Sequence, residues 1–254
     1  MYSKLNVTEI ERLLKCEQEI SAEFLRQLAE DSRASVQNLY RRYLQKREKE
    51  NKERLRVQEL YALETSPDFE QKLVAGVDEV GRGPLAGPVY AAAVILPFRL
   101  YLKGLNDSKK LSPGVRGELA AEIRQKAIAW CVASASVEEI NNLNILRASH
   151  LAMLRALQNL PVRPDHVLVD GTSFPESKFQ VTTVVGGDAK CACIAAASIL
   201  AKVERDKVMQ SVSKTYPFYG FDHNKGYGTK EHYQALREFG PCPLHRTAFL
   251  TNAL

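Results

Sequence analysis

All 14 glycines of this chain lie on one side of a boundary: the first is Gly76. The preceding stretch, rich in Glu, Lys, Arg, Leu and Gln, favours helix over the turn-rich chemistry of sheet. Its apolar residues repeat at helical spacing. Ile10, Leu13 and Leu14 make one face, Phe24, Leu25 and Leu28 a second, and a third helical stretch spans about 35–60. That stretch runs into the mixed-charge segment QKREKENKERLR. Lys46, Arg47, Lys49, Lys52, Arg54 and Arg56 would track phosphates only if Glu48, Glu50 and Glu53 did not interrupt them, so the segment reads as a solvated helix with intrahelical ion pairs. Ser66-Pro67 marks a linker.

From Leu73 the pattern becomes short apolar runs alternating with amphipathic stretches. Strands are expected at 73–77, 89–96, 129–137, 166–169 and 179–184, and helices at 113–127, 146–159 and 189 to about 214. The expectation is an α/β domain over 73–254 behind a helical N-terminal extension over 1–72.

Hydrophobic and charged fractions of 45% and 26% are those of a folded globular chain. The apolar runs at 89–98 and 191–201 fall short of the ~20 residues that cross a bilayer, and the charged amino terminus lacks a secretory signal. A cytoplasmic protein without a membrane partner is expected. Its net charge of +5 and pI near 8.9 suit a polyanionic ligand. The five cysteines are an odd number, and Cys191 and Cys193 are separated by one residue with no second pair at matching spacing. They are read as reduced, small buried side chains, with structural zinc not expected.

The chemistry lies in acids where strands end. Asp78 and Glu79 close the run LVAGV, Asp170 closes HVLV, and Asp188 follows Gly186-Gly187 at the expected start of the long helix. Carboxylates packed together raise one another's pKa, so a cluster that stays ionised needs cations. Mg²⁺ or Mn²⁺ suits oxygen ligands and can be shared with phosphates, which points to phosphodiester hydrolysis. Neighbouring strand residues face opposite ways, so Asp78 and Glu79 can converge only from a distorted strand end, for which Gly81 and Gly83 supply freedom. A dinucleotide loop is disfavoured because Gly81, Gly83 and Gly87 are spaced GxGxxxG and Pro84 interrupts the turn.

The segment GVDEVGRGPLAGPV at 76–89 resembles the signature of the ribonucleases HII. Further blocks resemble the same family in order: LNDSKKLS, VDG, GGDAKCACIAAASILAKVERD and KGYGTKEH, within a span of about 74–246. The resemblance implies a ribonuclease H-like mixed sheet flanked by helices. It also implies a metal-dependent endonuclease that cuts the RNA strand of RNA/DNA hybrids and 5′ of single ribonucleotides in duplex DNA, leaving 5′-phosphate and 3′-hydroxyl, with DNA repair as its setting. Carried over by position, Asp78, Glu79, Asp170 and Asp188 hold Mn²⁺ or Mg²⁺. Gly81, Arg82 and Gly83 read the ribonucleotide through its 2′-hydroxyl, Lys109 meets a phosphate, and Tyr227 stacks on the sugar after the junction. The alternatives are a ribonuclease HIII-like activity, which the GRG triplet and Tyr227 disfavour, and a catalytically silent nucleic-acid-binding protein, which retention of all four acids disfavours.

Overall fold

The computed structural model describes residues 5–16, 20–69 and 71–250. They divide by internal contacts into two units, residues 1–56 and 57–254.

The first unit is helical. Helices α1 (Val7–Cys16), α2 (Ala22–Glu30) and most of α3 (Ala34–Leu60) enclose a small core of Ile10, Phe24, Leu28, Val36 and Leu39. Ser21 starts α2 by accepting the Phe24 N–H at 3.2 Å. The charged part of α3 is exposed and carries intrahelical pairs, Lys52–Glu48 at 2.6 Å and Arg56–Glu53 at 2.7 Å. The solvated-helix expectation is met there.

The second unit is a five-stranded mixed sheet. Its strands are β1 (Val74–Val80), β2 (Val89–Ile95), β3 (Ala129–Ala135), β4 (His166–Asp170) and β5 (Val181–Val184), in the order β3-β2-β1-β4-β5. β1, β2 and β3 pair antiparallel, while β4 and β5 run parallel to β1. Parallel β1 and β4 bring the acids that follow their apolar runs to one end of the sheet.

Helices cover both faces. α4 (Pro113–Lys126) and α7 (Ala192–Ser213) pack on one, and α5 (Val137–Leu143) and α6 (Ile145–Gln158) on the other. Ser112 caps α4, and a Ser136–Glu139 capping box opens α5, so the strand expected to reach Val137 stops at Ala135. Short α8 (Phe221–Asn224), α9 (Lys230–Phe239) and α10 (Thr247–Leu250) complete the unit. No described helix is long and apolar enough to cross a membrane.

The division between the units falls inside α3, upstream of the expected 72/73 boundary. The physical reason is burial: Val57, Leu60 and Tyr61 lie in the core shared by β2, α4 and α7. Burying each contributes about 1.5–3 kcal/mol. A chain beginning at Pro67 is therefore expected to melt roughly 10 °C or more below one beginning at Val57. Equal midpoints by circular dichroism would show that these three side chains add nothing to the second unit.

Candidate active site

Alternation along the strands decides which acids face each other. Ala75 and Val77 of β1 and Val167 and Val169 of β4 join the core beneath α6, which turns Asp78 and Asp170 toward the α7 face and Glu79 toward the opposite one. The distorted strand end expected at Asp78-Glu79 is absent. The ladder with β2 continues through Glu79↔Ala91 and Val80↔Tyr90, and the turn comes only at Gly81, where φ is +94°. From its own side of β1 the charge of Glu79 still raises the Asp78 carboxyl, and that of Asp170 raises Glu79.

Asp170 accepts the Gly187 N–H at 2.7 Å, which ties β4 to the turn carrying Asp188. Asp188 sits in a separate 3₁₀ turn, Gly187–Ala189, rather than at the head of the long helix; α7 begins only at Ala192. Asp78 is 5% exposed and accepts the Glu79 N–H at 2.7 Å. The Ser198 hydroxyl on α7 faces the Asp78 carboxyl and favours its charged form. Ser198 also shares a hydrogen bond with Ser108, at 2.9 Å between the two hydroxyl oxygens. Ser198 is thus a buried positioning group for Asp78.

Burial, followed by the charge of Glu79, holds the Asp78 carboxyl well above the usual range, with Asp170 and Asp188 adding to the shift and Ser198 opposing it. Burial also raises Glu79, against the bond and charge of Arg82. Asp188 is raised by burial, then by Asp107 and Asp170, while Lys109 pulls it down. The neighbouring cations stand at the rim: Arg82 Nη1 is 3.1 Å from Glu79, and the largely exposed Lys109 Nζ is 3.9 Å from Asp188. They do not neutralise the cluster.

This donor set fits a hard divalent cation, because every candidate ligand is a carboxylate oxygen with too little positive charge beside it. Among the described residues no three of these carboxylates bring oxygens within 4.8 Å of one another. The spacing leaves room for the waters and phosphate oxygens that Mg²⁺ retains.

The loop after β1 is shaped from behind by two buried arginines that have no acid partner there. Arg246 makes five hydrogen bonds to backbone carbonyls: two to Gly87 at 2.7 and 2.9 Å and one each to Gly81 at 2.6 Å, Pro84 at 2.8 Å and Arg82 at 2.9 Å. Burial, then the nearby Arg205, pushes Arg246 down to about 9, so it keeps its charge at neutral pH. Arg205 of α7 donates to Ala86, Pro88 and Lys225, and a Cβ at Gly81 would overlap its guanidinium. The carbonyls of Gly81 and Arg82 are thereby engaged, whereas the N–H groups of Arg82 and Gly83 donate to no described residue.

Tyr227 stands beside this loop. A Cβ at Gly83 would lie 3.7 Å from its ring, and Leu85 N–H donates to the Gly226 carbonyl at 2.8 Å. Its own carbonyl accepts from His232 Nδ1 at 2.9 Å; His232 Nε2 in turn meets His245 Nε2 at 2.9 Å, and His245 Nδ1 accepts the Cys242 N–H at 2.9 Å. The chain of bonds closes with both rings neutral, and burial, with mutual repulsion at His245, lowers both; His245 falls to about 4. The sequence-expected site residues therefore gather as the four acids, the GRG loop with Tyr227, and Lys109 at the edge.

A ribonuclease HII family model matches residues 75–252, and the model of that family's N-terminal domain matches residues 6–66. Over 252 residues the chain is 50% identical to a ribonuclease HII of Pelotomaculum thermopropionicum, covering 98% of this chain and 95% of that one. The chain belongs to the ribonuclease HII family. A Moorella thermoacetica member is 56% identical over 198 residues, which cover 78% of this chain and 96% of its own. The Archaeoglobus fulgidus ribonuclease HII, solved in complex with PCNA, superposes with a TM-score of 0.61 at 27% identity, over 71% of this chain and 96% of that one. The sheet and its helices are thus of the ribonuclease H type, and the chain is a hydrolase acting on RNA in RNA/DNA hybrids.

Sequence reasoning missed several supports of this site. Asp107, whose carboxyl faces Asp188, lies within the quoted LNDSKKLS block but sits at no strand end. Arg205, Arg246 and the two histidines carry no local signal, since their partners are far along the chain.

Without divalent ions, Asp78, Glu79 and Asp188 bind protons more tightly folded than unfolded. The stability they contribute is present below the ordinary carboxylate range and is lost as pH rises through their raised values. Asp78→Asn is expected to raise Tm near neutral pH and flatten this decline; a lower Tm or an unchanged slope in metal-free melts would contradict the reading. Arg246→Met leaves the four carbonyls without their donor, and a loss of about 3–5 kcal/mol is expected in urea unfolding. Arg246→Lys, with a point-like ammonium in place of the planar fork, should recover less than half of it.

Proposed function

We propose that this chain cuts the RNA strand of hybrids and also incises 5′ of a single ribonucleotide within duplex DNA, in the service of DNA repair. Asp78, Glu79, Asp170 and Asp188 are the metal-holding acids, Gly81, Arg82 and Gly83 read the ribonucleotide, Tyr227 receives the next sugar, and Lys109 contacts a phosphate. The observation that carries this reading is the placement of Tyr227 against Gly83 at the mouth of a loop that follows directly from the Asp78-Glu79 strand.

The N–H groups of Arg82 and Gly83 are available to a 2′-hydroxyl, the one group that separates RNA from DNA at a single position. Absence of a side chain at Gly83 lets a ribose approach both the backbone and the Tyr227 ring. An aromatic face accepts a deoxyribose on the far side of the junction, which favours an RNA-to-DNA step. A Mg²⁺ or Mn²⁺ pair, when bound, supplies an activated water and stabilises the departing oxygen. The water oxygen bonds to phosphorus, the bond from phosphorus to the 3′-oxygen breaks, and that oxygen takes a proton, giving 5′-phosphate and 3′-hydroxyl. Ser198, bonded to Ser108, helps hold Asp78 in place, and Asp170 is held through the Gly187 N–H. The N-terminal extension over 1–72 adds affinity or protection and no catalytic group.

The test compares a duplex DNA bearing one ribonucleotide with a long RNA/DNA hybrid, with and without Mg²⁺ or Mn²⁺. Asp78→Asn should lower kcat/KM on both by more than roughly 100-fold while the protein stays folded. Tyr227→Ala should lose more on the single ribonucleotide, since the ratio of kcat/KM values cancels a general loss of folded enzyme. An unchanged ratio would reduce Tyr227 to a packing residue, and normal turnover by folded Asp78→Asn would remove that acid from the site.

A further inference from the structure

A second group of ligand-type side chains lies away from the acids. Glu64 follows α3, Cys191 immediately precedes α7, and Cys193 lies in its first turn. Cys191 Sγ is 3.7 Å from Cys193 Sγ and 3.2 Å from Glu64 Oε1, and the three donor atoms all lie within 4.8 Å of one another. Among the described residues no other three His, Cys, Asp or Glu side chains stand so close. We propose that Glu64, Cys191 and Cys193 form a binding site for a thiophilic divalent cation, with Zn²⁺ as the natural occupant.

The distances favour this over the other uses of two cysteines. Thiolates held ~2.3 Å from a tetrahedral ion stand about 3.8 Å apart, and a thiolate and a carboxylate oxygen about 3.5 Å apart. The observed 3.7 and 3.2 Å lie within a few tenths of an ångström of both. A disulfide would need the sulfurs at about 2.05 Å.

Glu64 has an ordinary task as well: its Oε1 accepts the Cys193 N–H at 2.7 Å and so caps α7 from a distance. Capping does not explain why the Cys191 thiol bonds to the same oxygen with the Cys193 thiol within 4.8 Å of the carboxylate. Nor does Glu64 pair with any described Lys or Arg, although burial raises its carboxyl. A cation would replace the Cys191 thiol proton now between Sγ and Oε1, and the thiol protons would pass to solvent.

Access and a fourth ligand come from one feature. A cavity of ≈ 440 Å³ is lined by Glu64 together with Tyr61, Phe69, Leu73 and Leu96 but by neither cysteine, so an ion and its water would arrive from the carboxylate side. The donor set is soft where that of Asp78, Glu79, Asp170 and Asp188 is hard, which lets the two sites sort their ions. The one-residue Cys spacing spoke against zinc because the third donor lies 127 residues from Cys191 along the chain. This inference stands apart from the proposed substrate reading.

The test uses the full chain, reduced, stripped of metal and held in excess Mg²⁺ so that the acids are supplied. Adding Co²⁺ should produce a thiolate-to-cobalt charge-transfer absorption at one equivalent, erased by Zn²⁺. Cys191→Ala with Cys193→Ala should abolish it, and Glu64→Gln should weaken Co²⁺ binding at least roughly tenfold. Should the double variant fail to fold, the chain with Cys16, Cys131 and Cys242 changed to Ser decides: retention of the band supports the site, and its loss assigns the band to other cysteines. No band in the reduced wild-type chain, or a mass two hydrogens lower revealing a disulfide in the native protein, overturns the proposal.

Discussion

The arrangement depends on how closely α7 lies against β1. At Gly76 a Cβ would overlap the backbone of Cys193 and Ile194, so the helix rests on the strand with no side chain between them. Ala195, Ala196 and Ala197 extend the buried small-residue surface along the helix. Close packing of this kind leaves little slack, because a methyl group more or less is felt in a dense core. It brings Ser198 to Asp78 and, farther along, Arg205 to the loop that follows β1. One helix therefore positions an acid and shapes the neighbouring loop.

Charge is divided by purpose. The buried arginines, Arg205 and Arg246, spend their donors on backbone carbonyls, where a planar fork can satisfy several acceptors at once. They give the GRG loop its shape without neutralising the acids. Among the described residues the acids pair only with Lys109 and Arg82, both at the rim, and so stay short of positive charge. The neutral His232–His245 pair serves the same loop assembly by anchoring the Tyr227 carbonyl, and its low proton affinity keeps another positive charge out of the core.

Much of this was legible from the chain alone. The absence of glycine before Gly76 marked the helical segment, alternating apolar runs marked the strands, and Asp78, Glu79, Asp170 and Asp188 stood out at the ends of those runs. Such signals are local: periodicity, capping and turn chemistry act between residues a few positions apart. The same locality caused the errors. Reading Asp78-Glu79 as a strand end ignored the pairing with β2 that keeps β1 regular through Val80, and a linker at Ser66-Pro67 gave no sign that Val57, Leu60 and Tyr61 before it are buried with β2, α4 and α7.

The sequence by itself determined which elements form, which acids follow the apolar runs, and the family to which the chain belongs, because each is written in contiguous residues. Only the tertiary structure decided which acids share a face, that Ser198 serves Asp78, that Arg246 holds a loop some 160 positions earlier, and that Glu64 meets two cysteines. Those contacts join segments with no common pattern along the chain. They exist because burial strips water from polar groups and obliges each to find its partner wherever the fold supplies one.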